Sequence, residues 1–429
     1  MKKYSLSKYN IYYETNDYVF IYNNYTKKVF EIDRKNFINL KKGSDLQPDV
    51  INTLCQYGMI VFDLKKSESE YIISNYVSKL ENSELEITIM ASTNCNFNCR
   101  YCYESYAPMT IDEKFVAIFL KFIRKSIYNY AGIYVNWFGG EPLLASANVV
   151  KISNELRRIC KDKKKPFVAS ITTNGYFLTV ELFEALIKAN VRYFQITVDG
   201  NKKWHDYYRP LKNGNGTYDI VVNNLLKIKK QAYKYPFFSV TIRNNVSEDN
   251  YLDCMEFTNF FKENFGDDNR FKLFHFPIKN WGGDKVLELK EKLINEQDVI
   301  KMSSIYNRVD LFESITSQAC PASKKNGYVF TPTLKIFKCN HYIVKENDFF
   351  EKNLVGYLDA EGNLKVNKKK NEGWYKPKIN SKCVECNLLP SCLISCPLYG
   401  INPYENCCKL QYDKIYKKIQ LYVQKQKDE

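Results

Sequence analysis

The densest chemistry in the chain is a run of eight residues, Cys95-Asn96-Phe97-Asn98-Cys99-Arg100-Tyr101-Cys102, which sets three thiols at a C-x3-C-x2-C spacing directly after a strand-like stretch. Three thiolates can hold three irons of a [4Fe–4S] cluster and leave the fourth iron open to another ligand. Structural zinc sites instead ask for four protein ligands. A second set lies near the other end: Cys383-x2-Cys386-x5-Cys392-x3-Cys396, with Cys320 and Cys339 upstream and the Cys407-Cys408 pair downstream. The chain has 14 cysteines but only three histidines, His205, His275 and His341, a balance that favours all-thiolate ligation. A zinc ribbon is the competing reading of the second set. Cys55, Cys160 and Cys254 fall in expected helices and read as buried structural thiols.

Three polar segments follow the first cysteine run, each at the end of an expected strand. Trp137-Phe138-Gly139-Gly140-Glu141-Pro142 offers glycines that let backbone approach a ligand closely, and a carboxylate at Glu141. Ser170-Ile171-Thr172-Thr173-Asn174-Gly175 offers hydroxyl and amide groups. Gln195-Ile196-Thr197-Val198-Asp199-Gly200 leads into His205-Asp206 and Arg209-Pro210, and Arg209 is suited to a bidentate carboxylate pair. Ile242, on the next strand, reads either as an apolar surface for a ligand or as core.

These segments need a scaffold, and the pattern supplies one. Expected strands at 86–90, 133–138, 167–172, 193–198, 237–242 and 271–276 alternate with helices such as 112–128 and 180–189. Repeated βα units imply a parallel sheet, whose strands place sites at their C-terminal ends. Residues 1–80 read differently. Strand-like 9–13, 18–22 and 28–32 are followed by helices at 34–40 and 48–57, a stop at Gly58 and a wing strand at 59–62, a winged-helix order. Residues 281–316 read as a helical linker. Residues 317–429 form a cysteine-rich segment held by metal centres, ending in an amphipathic helix at 409–425.

The chain has 429 residues, room for two or three domains, and 45% apolar residues. No run of eighteen apolar residues and no apolar signal core are present, so a cytoplasmic protein without membrane spans is expected. The net charge of +15 is mostly scattered Lys without a basic helix or aromatic RNA-binding strand, so nucleic acid is not an expected partner. A basic face for an acidic peptide remains open.

The cysteine run and the three segments, in this order, resemble the radical SAM superfamily, and the second cysteine set resembles the seven-cysteine SPASM extension found in its peptide maturases. The resemblance spans about 86–410 and implies a partial (β/α)6 TIM-like barrel, α/β in class, between a winged-helix-like α+β domain and a C-terminal Cys-rich iron–sulfur domain. It implies an enzyme in which Cys95, Cys99 and Cys102 hold the cluster that binds S-adenosylmethionine (SAM). One electron then cleaves SAM to a 5′-deoxyadenosyl radical that abstracts a substrate hydrogen. It assigns SAM contacts to Tyr101, Gly139, Gly140, Glu141, Ser170, Thr172, Asn174, Asp199, Arg209 and Ile242. Asp199 and Glu104 are also candidates for proton chemistry. The SPASM likeness implies two auxiliary [4Fe–4S] clusters, three clusters in all: an inner one on Cys320, Cys339 and Cys396, and an outer one on Cys383, Cys386, Cys392 and either Cys407 or Cys408. One departure stands out. The pattern has Gly where this chain has Leu334, so a changed turn is expected there. Asn326 stands where some relatives, including sulfatase maturases, carry a further Cys, which leaves the inner cluster with an open iron for a substrate thiolate.

Residues 1–80 resemble the leader-recognition element of ribosomal-peptide maturation, in which a leader peptide adds a strand to the small sheet. The expectation is a maturase that installs a thioether, or a carbon–carbon cross-link, in a ribosomally made peptide and draws electrons from a flavodoxin or ferredoxin. An anaerobic sulfatase maturase is the nearest alternative. A non-catalytic electron carrier or scaffold is the alternative of another class.

Overall fold

The computed structural model describes residues 4–43, 46–62, 67–81, 83–104, 107–278, 320–341, 349–376, 381–392 and 405–428, with single residues Lys285, Leu289, Ile343 and Ile379. The expected linker at 281–316 lies almost wholly outside them. So do Cys396 and the side chains of Cys392, Cys407 and Cys408. The chain divides into two packed units. One comprises Met1–Asn82, Arg308–Lys325 and Trp374–Glu429; the other comprises Ser83–Asn307 and Asn326–Gly373.

In the first unit, β1 (Tyr4–Leu6) pairs antiparallel with β5 (Ile60–Phe62). β2 (Asn10–Glu14), β3 (Tyr18–Asn23) and β4 (Val29–Asp33) form an antiparallel meander. Helix α1 (Arg34–Lys42) starts where the Asp33 carboxylate accepts the Asn36 N–H at 2.9 Å, and it ends at Gly43 with φ 66°. Helix α2 is Pro48–Gln56, and α3 (Glu68–Leu80) begins at a capping box between Ser67 and Glu70. One face of the meander packs Val19, Ile21 and Ile32 on Phe37, Leu40 and Leu54 of α1 and α2. The other face packs Ile11, Phe20 and Tyr22 on Ile415, Ile419 and Val423 of the C-terminal helix, Glu405–Asp428. Cys55, expected as a buried thiol, is exposed, because its neighbour Leu54 is the α2 residue that faces the core.

The second unit is built on six parallel strands in sequential order: β6 (Leu85–Ser92), β7 (Ile133–Gly139), β8 (Phe167–Thr173), β9 (Val191–Thr197), β10 (Ser239–Val246) and β11 (Phe271–Pro277). Helices α4 (Glu113–Ser126), α5 (Ser146–Asp162), α6 (Val180–Lys188), α7 (Lys202–Tyr208), α8 (Tyr218–Gln231) and α9 (Cys254–Phe265) connect them. This is the α/β sheet expected of a partial barrel. Each strand buries apolar residues against these helices; Phe115, Phe119 and Phe122 of α4 are 1%, 0% and 1% exposed. Cys160 and Cys254 are buried here as expected.

The fading pattern after Cys320 hides four short strands. β12 (Gly327–Phe330) joins β6 in parallel, and β13 (Lys335–Phe337), β14 (Leu354–Leu358) and β15 (Leu364–Val366) extend the sheet antiparallel. The changed turn expected at Leu334 does not occur. Leu334 itself takes φ 62°, the left-handed conformation a glycine would supply, while the Leu334 and Lys335 backbones bond Thr331 to close the hairpin.

Candidate active site

All three cysteines of the first run line one cavity of about 360 Å³ in the second unit, at the C-terminal ends of the parallel strands. Gly139, Gly140, Thr172, Asn174, Thr197 and Arg209 line it too, together with Tyr101 and Arg243. Each segment arrives on the loop that ends a different strand, which is why residues scattered over more than a hundred positions meet. The two glycines are required by close approach. A Cβ at Gly139, whose φ is 120°, would come within 2.2 Å of the Ser92 carbonyl oxygen, and one at Gly140 within 2.5 Å of the Asn94 oxygen.

Burial pushes the thiols up, Cys95 to about 11 and Cys99 to about 12, with Cys102 raised as well; the Arg209 charge opposes the rise at all three. The Phe97 N–H bonds the Cys95 sulfur at 3.4 Å. The same contact from residue i+2 recurs at two cysteines of the second set: His341 N–H to Cys339, and Leu388 N–H to Cys386, each 3.4 Å. Cys254 bonds differently, giving its thiol to the Asn250 carbonyl at 3.4 Å. Among the described residues no three His, Cys, Asp or Glu side chains converge on a single-ion site. A [4Fe–4S] cluster sets its thiolates on separate irons and accepts a wider spacing. The fit to SAM rests on two orphans: Arg209 Nε and Asn96 Nδ2 are buried without a hydrogen-bond partner among the described residues. With the glycine cradle and three thiols, these two donors suit the carboxylate of a backbone-hugging ligand.

Four expected SAM contacts do not line the cavity. Both oxygens of Glu141 already accept within the protein, from Thr173 Oγ1 (2.6 Å), Leu143 N (2.9 Å) and Asn174 N (2.7 Å), so it braces the loop that carries Asn174. Ser170 lies two residues before Thr172 on β8 and bonds Tyr134 (2.7 Å) and Asn136 (2.9 Å). Ile242 is 1% exposed in the core. It falls on the β10 face of Asn244, whose amide meets Cys254 of α9, opposite to Arg243 and Asn245. Asp199 is fully buried behind Tyr101. It accepts the Tyr101 hydroxyl and the Asn245 N–H (3.0 Å), while the Tyr101 oxygen receives Arg209 Nη1 (2.7 Å) and Asn245 Nδ2 (3.0 Å). His205 closes the shell: its Nδ1 accepts the Asp199 N–H at 3.2 Å and its Nε2 meets Thr217 Oγ1 at 3.0 Å. Burial and Arg209 hold it neutral, well below the ordinary imidazole range.

Sequence reasoning missed Arg243, Asn245, Lys212 and Lys285, which also line the cavity. The signal for Arg243 and Asn245 is strand alternation on β10, where the two share the face opposite Ile242. Glu104 lines the cavity as well, its carboxyl pushed up to about 8 by burial and by Glu141.

Residues 89–257 match the family model of the Radical SAM superfamily. The chain is 22% identical over 354 residues to a serine-type anaerobic sulfatase-maturating enzyme of Bacteroides thetaiotaomicron, a match covering 71% of this chain and 80% of that one. It is 24% identical over 216 residues to the radical SAM cyclopropyl synthase TigE of Paramaledivibacter caminithermalis, covering 46% and 44%. Among solved structures, native anSMEcpe with bound AdoMet and Cp18Cys peptide superposes with a TM-score of 0.56 at 16% identity, covering 81% of this chain and all of that one.

Proposed function

We propose that this radical SAM enzyme is a maturase that modifies a ribosomally made peptide, with a thioether as the first-choice product and a carbon–carbon cross-link next. The observation that carries the reading is the convergence of Cys95, Cys99 and Cys102 with Gly139, Gly140, Asn174 and Arg209 on one cavity. The family implies SAM and a [4Fe–4S] cluster, which when bound supply one-electron cleavage and hydrogen-atom abstraction from a substrate carbon. The chain's own residues do the rest. The three cysteines hold the cluster, Gly139 and Gly140 let backbone approach SAM, and Thr172 and Asn174 offer polar contacts. Arg209 meets the SAM carboxylate, held in place by Tyr101, which is anchored in turn by Asp199. An electron donor such as flavodoxin or ferredoxin supplies the reducing equivalent.

A peptide substrate is supported by the relatives, which mature sulfatases, and by the peptide bound in the anSMEcpe structure. The whole of that neighbour maps onto 81% of this chain, leaving about a fifth over. The winged-helix-like unit accounts for such a surplus as a leader-binding element. Both faces of its β2–β3–β4 meander are covered, so a leader would add along an edge. We assign two auxiliary clusters to Cys320, Cys339 and Cys396, and to Cys383, Cys386, Cys392 and Cys407 or Cys408. The backbone N–H bonds at Cys339 and Cys386, alike to that at Cys95, support this assignment. The second reading, formylglycine formation, is favoured by the sulfatase-maturating relatives.

The test is anaerobic reconstitution with iron and sulfide, then SAM and dithionite, with 5′-deoxyadenosine followed by mass spectrometry. Wild type should release it, and the Cys95, Cys99 and Cys102 triple Ala variant should not. No release from a fully loaded wild type overturns the enzyme reading. A sulfatase-motif peptide that becomes reactive to a hydrazide replaces cross-linking with formylglycine formation.

A further inference from the structure

The first cysteine run has a second face, turned away from the cavity. Every residue from Cys95 to Cys102 lines the cavity except Asn96 and Arg100, and of those two Arg100 is exposed. Its backbone N–H donates to the Tyr208 carbonyl at 3.0 Å and its Nε to the Tyr207 carbonyl at 2.8 Å, which fastens the run to the end of α7. The guanidinium lies 4.3 Å from the centroid of the Tyr207 ring, itself 38% exposed. One turn earlier on the same face of α7, Lys203 is exposed with its Nζ 4.4 Å from the Trp204 centroid, and Trp204 meets Tyr207 edge-on at 6.2 Å. Neither Arg100 nor Lys203 has a carboxylate partner among the described residues. The carboxylates around α7 are engaged in other bonds. Asp253 accepts Trp204 Nε1, Asp249 accepts the Tyr208 hydroxyl at 2.8 Å, Asp206 accepts the Thr217 and Tyr218 N–H groups, and Asp219 pairs with Lys202. Asp206, Asp249 and Asp253 are half-buried, so a protein approaching this face meets two cations and an aromatic ring first.

That face is open to an electron donor when the cavity is not. In the proposed reaction SAM and the peptide fill the cavity, so a carrier protein has to reach the cluster from the outer side of the loop. Arg100 is bonded covalently to Cys99, and one hydrogen bond joins it to the Tyr207 backbone. A carrier seated on Tyr207 is therefore coupled to a cluster ligand through a single hydrogen bond and the chain itself. Arg, Tyr and Trp are the side chains enriched where proteins dock. The charge selects the carrier: two unpaired cations here, on a chain of net charge +15, draw in an acidic protein and speed its encounter.

We infer that Arg100, Lys203 and Tyr207 form the docking surface for an acidic one-electron carrier protein. One electron passes from the reduced carrier, which is oxidised by one, to the cluster on Cys95, Cys99 and Cys102, which is reduced by one; no atom is transferred. The inference rests on the proposed function for the need of an electron and adds the place where its donor sits. The probes are photoreduced flavodoxin and photoreduced ferredoxin, both acidic, mixed with the reconstituted full chain. Reduction of the SAM-binding cluster is timed by freeze-quench electron paramagnetic resonance, on the signal that changes when SAM is added. Dithionite, a small reductant that needs no docking, is run beside them. In Lys203→Glu, and in Lys203→Glu combined with Arg100→Gln, the carrier-driven rate constant should fall about tenfold or more at low salt, and the gap should close at high salt. Iron content and the dithionite-driven rate should match wild type, which also shows that the loop and its cluster are intact. Equal carrier-driven rates in wild type and both variants overturn the inference. So does a fall that salt does not narrow, a parallel fall with dithionite, or failure of both carriers to reduce the wild type. 5′-Deoxyadenosine is scored in the dithionite arm. Its absence removes the maturase reading, while the carrier-driven rates of cluster reduction still decide this inference on their own.

Discussion

Asp199 does not line the cavity, yet its removal should weaken SAM binding, and only by way of Tyr101. The Tyr101 oxygen sits between a carboxylate and a guanidinium, donating to Asp199 and receiving Arg209 and Asn245. Hydrogen bonds to charged groups contribute about 1.5–3 kcal/mol each, and buried partners left unmatched cost a similar amount. In Tyr101→Phe, Arg209 loses the hydroxyl that anchors it. If half or all of one such bond is lost to SAM binding, Kd rises roughly three- to hundredfold, at about 1.4 kcal/mol per tenfold. Asp199→Asn keeps an acceptor for the Asn245 N–H but turns the other oxygen into an amide, so the Tyr101 hydrogen loses its acceptor and the loss falls in the same range. The double variant decides the matter. If Asp199 acts through the Tyr101 hydroxyl, adding Asp199→Asn to Tyr101→Phe costs almost nothing further, and the coupling equals the smaller single loss. Equilibrium dialysis of SAM against the four reconstituted proteins measures it. Losses that add within about 0.5 kcal/mol would show that Asp199 meets the ligand on its own, and the positioning argument fails.

Acid should destabilise the second unit. His275 sits between Asn244 (3.0 Å) and Thr258 (3.1 Å), and burial lowers it from 6.5 to about 4. The unfolded chain therefore takes up the proton first: the contribution is full above pH 6.5, is lost as pH falls toward about 4, and amounts to about 3 kcal/mol. His205 shifts in the same direction. His275→Gln should flatten the fall of the urea midpoint over that window, and an unchanged slope would exclude His275 as its source. Gly139→Ala should fail to load SAM and should melt early, because its Cβ would meet the Ser92 carbonyl at 2.2 Å where φ is already 120°; a well-folded, SAM-binding variant would contradict the cradle. Leu334→Gly should stabilise by up to about 1 kcal/mol, since relief of the left-handed strain exceeds the added chain entropy; a lower melting temperature would show that the Leu334 side chain packs better than its backbone suffers.

What the sequence disclosed depended on how local each signal was. The βα periodicity placed the strands closely: the expected 133–138 and 271–276 fall inside Ile133–Gly139 and Phe271–Pro277, because a buried parallel strand is a compact apolar run. The loops after those strands were legible as cavity walls for the same reason. Which side chain faces the cavity was not. Glu141, Ser170, Asp199 and Ile242 belong to the right segments but point to partners that the sequence does not name, such as Thr173, Tyr134, Tyr101 and the α9 layer. Arg243 went unread because a basic residue inside a strand carries no motif; only the register that puts it opposite Ile242 brings it to the cavity. The strands after Cys320 were missed because runs as short as Lys335–Phe337 are too brief to show alternation.

The first unit shows a further limit, and it bears on how its role is tested. A meander with one solvated face should alternate apolar and polar, yet Ile11, Phe20 and Tyr22 make its second face apolar as well. The sequence thereby asks for a cover, and the C-terminal helix provides it with Ile415, Ile419 and Val423, side chains whose burial contributes about 1.5–3 kcal/mol each. The cysteine-rich segment is fastened to the same unit. Lys8 Nζ donates to the Val384 carbonyl at 2.7 Å, Asn24 Nδ2 to the Asn387 carbonyl at 2.9 Å, and the Ser391 hydroxyl to Asn24 Oδ1 at 2.6 Å, while Leu389 packs among Tyr9, Ile72 and Tyr76. Removing residues 1–82 would thus strip the support from Cys383 and Cys386 along with any leader-binding edge. Loss of peptide modification after that truncation would not separate recognition from cluster support. A substitution confined to the β4 edge would, because β4 pairs with β3 alone among the described strands and takes no part in these bonds to residues 384–391.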